Sequence, residues 1–443
     1  MGHLVCYSLR CPERHEVLGS RAVARDELRP WYIGEMGTFT VRCECGEQFH
    51  VEDTARGRHI RCRRCGRTIE VAGPPAAAAS PKPERRARSS ADARSATDTG
   101  RARQPVLIPR TGAARAAAYA CWAYLAAVVL VAAIMWGWGD RAIPGTVLLF
   151  MGRWVFLLPL VALVPAALWL RRDLLLPLAI AAVVVVGPIM GFRAGWRRLL
   201  PAPDGMPLRV VTFNAGGGAV LAQVLPEFLA RWQPHVVALQ ECGNALGAAV
   251  RLSAGWHQYV GRDLCLLSRF PIREASVMDR SGLDRVKQSE AKEIGGAGYV
   301  VRFVLDGPRG PIRVGNLHLE TPRKGFEGLM ERDVRRLRMN TEIRDIESHL
   351  ARQWIEQGTG PLLVLGDFNT PVESRIYRQH WGHLTNAFSV AGTGFGVTKY
   401  NGWIRIRIDH VLASDAWHVN RVQLGRETYS DHRPLVVDVM VKR

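Results

Sequence analysis

Cysteine is sparse in this sequence of 443 residues, which contains nine. So few cysteines in so long a chain do not make a disulfide framework, which excludes the small disulfide-stabilised class of secreted protein. Charge is moderate: 22% of the residues are charged and 48% are hydrophobic, which excludes wholesale disorder. The length is too great for one ordinary domain and favours several units of roughly 150 residues each.

The C-terminal part lacks the strong positive charge of a purely electrostatic nucleic-acid binder. The whole chain has a formal net charge of +19, but residues 201–443 hold 31 Lys and Arg against 25 Asp and Glu, a net charge of +6. Such a mild excess permits binding to nucleic acid without requiring it.

Four of the cysteines form two close pairs, Cys43 with Cys45 and Cys62 with Cys65, and each pair is followed by glycine. Four thiolates on two tight turns suit tetrahedral Zn²⁺. Residues 36–72 therefore resemble a zinc ribbon, although the first pair is C-x-C rather than C-x-x-C. The alternative is four unliganded thiols, which a segment with so little core would tolerate poorly.

The flanks of the predicted ribbon carry little sign of a fold. Residues 1–35 show no clear period, and translation from Met36 is an open alternative. Residues 73–115 lack aromatic side chains and are rich in Ala, Pro, Ser and Arg, which predicts a disordered linker.

Three long apolar segments follow, at residues 116–138, 147–170 and 174–192, and each is long enough to cross a bilayer. Tryptophans near their ends are typical of membrane interfaces. Buried helices of a soluble core are the alternative, which three such runs in succession disfavour. The basic flank before residue 116 and the turn at Arg171 and Arg172 fall on one side, which favours a multi-pass protein with the ribbon in the cytoplasm and the C-terminal domain outside.

From residue 207 the pattern changes to short apolar strands and a few helices, which we predict at Ala219–Trp232 and Glu327–Trp354. Their irregular alternation predicts an α/β or α+β domain with a mixed sheet. Several strands end in polar side chains, at Asn214, Gln240–Glu241, Asn316 and His318, Asp367 and Asn369, Asp409, and Asp431–His432. A carboxylate or imidazole in such a position costs free energy unless it faces a cleft. One such residue could be a simple cap, but six in order form a specific pattern.

These residues belong to six short motifs, which resemble those of the endonuclease/exonuclease/phosphatase superfamily over residues 207–443. In chain order the motifs are F-N, Q-E, N-x-H, G-D-F-N, R-I-D-H and S-D-H. The resemblance implies a four-layer α-β-β-α sandwich of two mixed sheets, here behind three transmembrane helices and a small zinc ribbon. It also implies a hydrolase of phosphate esters that uses Mg²⁺ or Mn²⁺, the hard cations that offset phosphate charge.

By motif position, the resemblance assigns the Mg²⁺ or Mn²⁺ ligands to Glu241 and Asn214, with Asp431 as a further contributor. Many family members have a bulkier or acidic residue two positions after Asn214, where this chain has Gly216.

The catalytic roles follow from the same resemblance. Asp367 would orient or deprotonate the attacking water, and Asn369 would hold the phosphate or that water. His318 and His432 would contact the non-bridging oxygens. Asp409 would pair with an imidazole, most plausibly that of His432, and favour its charged form.

The substrate stays open at this point. A nuclease or other phosphodiesterase is favoured, with phospholipid or inositol phosphate as the alternative substrate class. An inactive sensing protein, or a nucleic-acid binder that acts through the ribbon, is a further alternative. The lipid bilayer is an expected partner, and no protein partner can be inferred. Cys242 and Cys265 are expected to be core strand residues rather than a disulfide.

Overall fold

The computed structural model describes residues 38–42, 44, 48–52, 59–61, 65, 68–70, 110–196, 207–281, 283, 298–426 and 429–442. The chain divides into two compact units, Met1–Arg101 and Ala102–Arg443. The predictions for residues 1–35, Met36 and most of the linker lie outside the described residues.

The first unit contains two antiparallel hairpins at the predicted ribbon. Strand β1 (Thr38–Arg42) pairs with β2 (Gln48–Glu52), and β3 (His59–Arg61) pairs with β4 (Thr68–Glu70). In sequence, one cysteine pair comes between β1 and β2 and the other between β3 and β4. Cys43, Cys45 and Cys62 lie outside the described residues, whereas Cys65 is exposed.

The second unit opens with a bundle of apolar helices, α1 (Arg110–Ala133), α2 (Ile143–Phe150), α3 (Leu158–Leu170) and α4 (Leu175–Val184). Helix α1 begins inside the predicted linker. Counting the short turns of 3₁₀ or π helix at their ends, Gly112–Arg141, Arg153–Leu170 and Arg172–Ile189 are long and apolar enough to cross a membrane.

The predicted second segment, 147–170, is wrong in its start, because the helix breaks after Phe150. Arg153 causes the difference: its guanidinium donates to Leu149 O at the end of α2 and to Ile189 O beyond α4. These bonds satisfy helix-terminal carbonyls, which otherwise have no intrahelical partner.

The remaining strands are β5 (Arg193–Ala194), β6 (Leu208–Asn214), β7 (Val236–Gln240), β8 (His257–Gly261), β9 (Leu264–Ser268), β10 (Ile272–Val277), β11 (Tyr299–Gly307), β12 (Gly310–His318), β13 (Leu362–Asp367), β14 (Thr385–Asn386), β15 (Thr393–Gly394), β16 (Lys399–Asn401), β17 (Ile404–Ile406), β18 (Asp409–Ala413), β19 (Trp417–Leu424) and β20 (Leu435–Val441). The helices are α5 (Ala219–Trp232), α6 (Asn244–Arg251), α7 (Arg323–Met330), α8 (Val334–Ile355), α9 (Arg375–His380) and α10 (Ala387–Ala391).

Twelve of these strands form two six-stranded mixed sheets, in the orders β10-β11-β12-β13-β18-β14 and β19-β20-β6-β7-β9-β8, and the other four pair as β5 with β15 and β16 with β17. Their facing sides form one apolar core, with Val210 on one sheet and Phe303 on the other. Helices α5 and α6 cover the outer face of the sheet that contains β6, and α8 covers the outer face of the other. This arrangement is the predicted α-β-β-α sandwich, because each sheet buries one face against its partner and one against helices.

The helix predicted at Glu327–Trp354 is instead two helices, α7 and α8. Arg332 adopts a left-handed φ of 65° between them. Asp333 then caps α8 by accepting a hydrogen bond from the Arg336 backbone N–H. Helix α5 has the predicted bounds.

Candidate active site

Strand register brings the predicted polar residues to one edge of the sandwich. In the parallel pair β12–β13, His318 lies opposite Asp367, and in the antiparallel pair β13–β18, Asp367 lies opposite Asp409. In the other sheet, Asn214 lies opposite Gln240 in the parallel pair β6–β7. Carboxyl ends of parallel strands share an edge, so motifs that are distant in sequence meet there.

The amide of Asn214 links the two sheets at this edge. Its Nδ2 donates to Glu241 Oε1 at 2.9 Å and to Asp367 Oδ2 at 3.1 Å. Its Oδ1 accepts from the Gly216 backbone N–H at 3.0 Å. Gly216 has a φ of 58°, a conformation that glycine adopts without strain.

Asp367 is buried and is the centre of the site. Its Oδ1 accepts from the Asn369 backbone N–H at 2.8 Å. Its Oδ2 lies 3.8 Å from Nε2 of His318 and 3.7 Å from Nε2 of His432. Burial and the nearby Asp409 raise the pKa of the Asp367 carboxyl, while the two histidines oppose that rise.

Asp409 and His432 form a buried pair. Both carboxylate oxygens lie within hydrogen-bond distance of His432 Nδ1, at 2.9 and 3.1 Å. Burial alone would lower the pKa of His432, but the carboxylates of Asp409 and Asp367 raise it to about 9. Burial likewise opposes ionisation of Asp409, yet the His432 charge holds the Asp409 pKa below its usual value.

Two site residues have unusual backbone conformations. Glu241 and Asn369 have φ values of 48° and 49°, in the left-handed region that non-glycine residues seldom occupy. Such strain persists only where surrounding contacts hold it, and it is concentrated at functional sites. At Asn369 those contacts are its Nδ2 donating to Leu319 O and its own carbonyl accepting from Arg344 Nη2.

Asp431, predicted as a further metal ligand, lies against Lys399. Its carboxylate accepts from Lys399 Nζ at 2.7 Å, and its side chain is largely exposed. Lys399 Nζ also lies 2.8 Å from His432 Nε2, which fits donation to the neutral imidazole. A protonated His432 could not accept this hydrogen bond, so Lys399 would then contact Asp431 alone. Lys399 lies in a short hairpin outside every motif, so no sequence signal identified it.

The donor set fits a hard divalent cation. Glu241 is 39% exposed at the side chain and has Nε2 of His318 3.9 Å away, while Asn214 Nδ2 donates to both Glu241 and Asp367. Burial, together with the charge of Glu241, raises the pKa of the nearby Asp263. Concentrated carboxylate charge with oxygen donors is what Mg²⁺ and Mn²⁺ require. Sequence reasoning missed Asp263, which lies in a turn before β9.

A second grouping, Asp367, Asp409 and His432, also brings potential ligand atoms within 4.8 Å of one another. Here Nδ1 of His432 is already engaged by Asp409, and all three side chains are buried. This grouping therefore fits a set of hydrogen-bonded catalytic side chains better than a metal-binding site.

Cys242 and Cys265 form a disulfide, contrary to the prediction that they are simple core residues. Strand β9 lies antiparallel to β7 with Cys265 opposite Leu239, which brings Cys265 close to the residue after Glu241. The pairing depends on this register, which composition and spacing do not reveal. The disulfide fixes the loop that carries Glu241.

Residues 211–432 match the sequence model of the Endonuclease/Exonuclease/phosphatase family. Similar solved structures include TDP2 of D. rerio humanised by 14 mutations (14% identity, 53% of this chain and 99% of that chain covered, TM-score 0.42). An endonuclease/exonuclease/phosphatase from Beutenbergia cavernae (16%, 54% and 72%, 0.40) and the human Nocturnin catalytic domain with bound sulfate (20%, 56% and 100%, 0.40) are also similar. No curated protein matches the sequence.

Proposed function

Because the chain belongs to the endonuclease/exonuclease/phosphatase family, whose enzymes act on phosphate esters, we propose that it is a membrane-anchored phosphodiesterase dependent on Mg²⁺ or Mn²⁺. The observation that carries the proposal is the environment of Asp367. One buried carboxylate accepts from Asn214 and Asn369 and lies beside the Nε2 atoms of His318 and His432.

In this proposal the residues of the site divide the work of an in-line displacement by water. Asp367 orients the water and takes its proton, a role that its raised pKa favours. His432, kept protonated by Asp409, stabilises charge on a non-bridging phosphate oxygen. His318, whose Nε2 lies 3.8 Å from the same carboxylate oxygen of Asp367, contacts the same phosphate oxygens, and the backbone N–H of Asn369 fixes the carboxylate.

The divalent cation would be held by Glu241, with the side chain of Asn214 beside it, where it would offset phosphate charge. Glu241 is available for this role because its side chain remains partly exposed. The disulfide next to it would hold its loop in place. Asp431 is not needed in this set, since its carboxylate contacts Lys399.

We also propose that three helices cross the membrane and that the catalytic domain lies outside the cytoplasm. The end of the first span and the start of the second contact the catalytic domain through Trp136 and Arg153, and Arg153 also donates to Ile189 O at the end of the third span. These three span ends therefore lie together on the side of the catalytic domain, which agrees with an odd number of crossings. The disulfide adds support, because disulfides persist in oxidising compartments. Zn²⁺ bound by Cys43, Cys45, Cys62 and Cys65 remains a proposal for the ribbon.

A substrate panel tests the hydrolytic proposal. The full chain in detergent with Mg²⁺ would receive DNA, RNA, sphingomyelin and a phosphoinositide, with Asp367→Asn as the matched inactive control. We expect phosphodiester hydrolysis, with nucleic acid as the favoured class. Preference for a lipid or inositol phosphate would move the assignment to that alternative. Failure on every substrate, with Mg²⁺ bound and the chain folded, would leave the inactive sensing protein.

A further inference from the structure

A basic cavity of about 1270 Å³ lies where the helical bundle meets the catalytic domain. Its lining includes Trp154 and Gly191 from the bundle and Trp403 from the β16–β17 hairpin. The lining contains six arginines (Arg153, Arg231, Arg405, Arg407, Arg426 and Arg433) and a single acidic residue, Glu373, which pairs with Arg153. None of the residues that we assign to hydrolysis lines it.

Arg407 is the strongest indication that this cavity takes a ligand. It is 6% exposed, and its Nη1 has no hydrogen-bond partner among the described residues. Its Nη2 makes only a long contact, 3.4 Å, to Ser389 Oγ. Burial lowers the pKa of Arg407 to about 10 although the charge of Glu373 opposes that shift, so this one carboxylate does not fully offset the desolvation of the guanidinium. Phosphate oxygens are well matched to its unused donor.

The position of the cavity indicates where such a phosphate comes from. Trp154 lies at the start of the span Arg153–Leu170 and stacks on Trp403 at 5.7 Å, and Gly191 lies just beyond the span that ends at Ile189. Tryptophans at span ends lie at the level of lipid headgroups. Trp403 is largely exposed and lies at the same level.

We propose that this cavity binds the phosphate headgroup of an anionic membrane phospholipid. Arg407 donates to the phosphate from the buried side of the cavity, and the exposed Arg405 and the half-buried Arg433 contribute further positive charge. The acyl chains extend along the bundle beside the Trp154–Trp403 stack. The site is separate from the hydrolytic centre. It rests on the proposed membrane placement of the helices but not on the hydrolytic assignment.

Lipid binding to the full chain in detergent tests the proposal, with native mass spectrometry as the readout and phosphatidylglycerol and phosphatidylcholine as probes. We expect preferential retention of phosphatidylglycerol. Arg407→Gln should lower its affinity about tenfold or more, because a charge-assisted hydrogen bond to phosphate is lost. Arg405→Gln, on the exposed hairpin, should weaken binding without endangering the buried core. Arg421→Gln, an exposed arginine of β19 outside the cavity, is the matched control and should bind normally.

Three results would overturn the proposal. Equal retention of the two lipids would remove the headgroup preference. Unchanged phosphatidylglycerol binding in both Arg407→Gln and Arg405→Gln would remove the cavity as its site. Displacement of the lipid by inorganic phosphate alone would indicate a free-phosphate site instead. Binding to Asp367→Asn should equal native binding, so failure of the hydrolytic proposal is distinguishable from failure of this one.

Discussion

The ion pair between Arg153 and Glu373 joins the helical bundle to the catalytic domain. It allows a quantitative test of how far the stability of the protein depends on the contact between these two parts. Arg153 Nη1 lies 2.9 Å from Glu373 Oε2, and the two side chains are 9% and 4% exposed. Burial opposes ionisation of Glu373, but the charges of Arg153 and Arg407 hold its pKa below the usual value. Glu373→Gln would leave both guanidinium groups without their buried carboxylate.

Removal of one partner from a buried pair costs about 3–5 kcal/mol, because the remaining charge stays desolvated. For a domain of this size, that loss corresponds to a melting temperature lower by roughly 6–20 °C. Thermal unfolding of the full chain in detergent, followed by tryptophan fluorescence, measures it. Since the Glu373 pKa is lowered by folding, its stabilisation is present above its unfolded pKa and is lost as pH falls through the folded one. The difference between native and variant should therefore shrink in acid.

Two controls make the result specific. Arg153→Met with Glu373→Met replaces the pair by apolar side chains and should recover part of the stability, because the lone buried charge at position 153 is gone. Asp173→Asn breaks an exposed ion pair with Arg171 and should leave the melting temperature unchanged. A Glu373→Gln protein as stable as Asp173→Asn at neutral pH would refute the reasoning.

Three further predictions concern the catalytic domain. Asp367→Asn should lower turnover by about 10²–10⁴ with the fold intact, and near-normal turnover would remove its role as a base, with Asp415→Asn as the neutral control. EDTA should abolish activity, Mg²⁺ or Mn²⁺ should restore it, and Glu241→Gln should need more metal; full activity in chelator would contradict this. Cys242→Ser should cost about 3 kcal/mol of stability for a 23-residue separation, and unchanged melting, or Cys265 reactive to thiol labels in the native protein, would contradict the disulfide.

The polar residues at the strand ends could be predicted from the sequence for two reasons. Each follows a buried apolar run, and strand pairing then fixes where runs end relative to one another. The register opposes Asp367 to both His318 and Asp409, which is why motifs nearly 100 residues apart in sequence meet. The Asp409–His432 hydrogen bond followed from the family resemblance, and the geometry agrees with it.

Contacts that depend on loop placement could not be predicted. Asp431 adjoins His432 in sequence, so the motif suggested a metal ligand, but the β16–β17 hairpin brings Lys399 against it. The disulfide partner of Cys242 depends on the β7–β9 register. Arg153 interrupts an apolar run, and the sequence gives no reason to expect that Glu373, 220 residues later, would pair with it.

The helical bundle also supports the active site, because its apolar core continues into the active-site strands. Ile408, the neighbour of Asp409, is buried in the same apolar cluster as the helices of the bundle. The ring of Phe150 lies 5.0 Å from the Arg344 guanidinium, which donates to the carbonyl of Asn369. Truncation before residue 201 would expose Ile408 to water, leave Glu373 without Arg153, and remove the ring that packs on Arg344. A soluble fragment would therefore lose part of the support for its own catalytic residues, so activity has to be measured on the full chain.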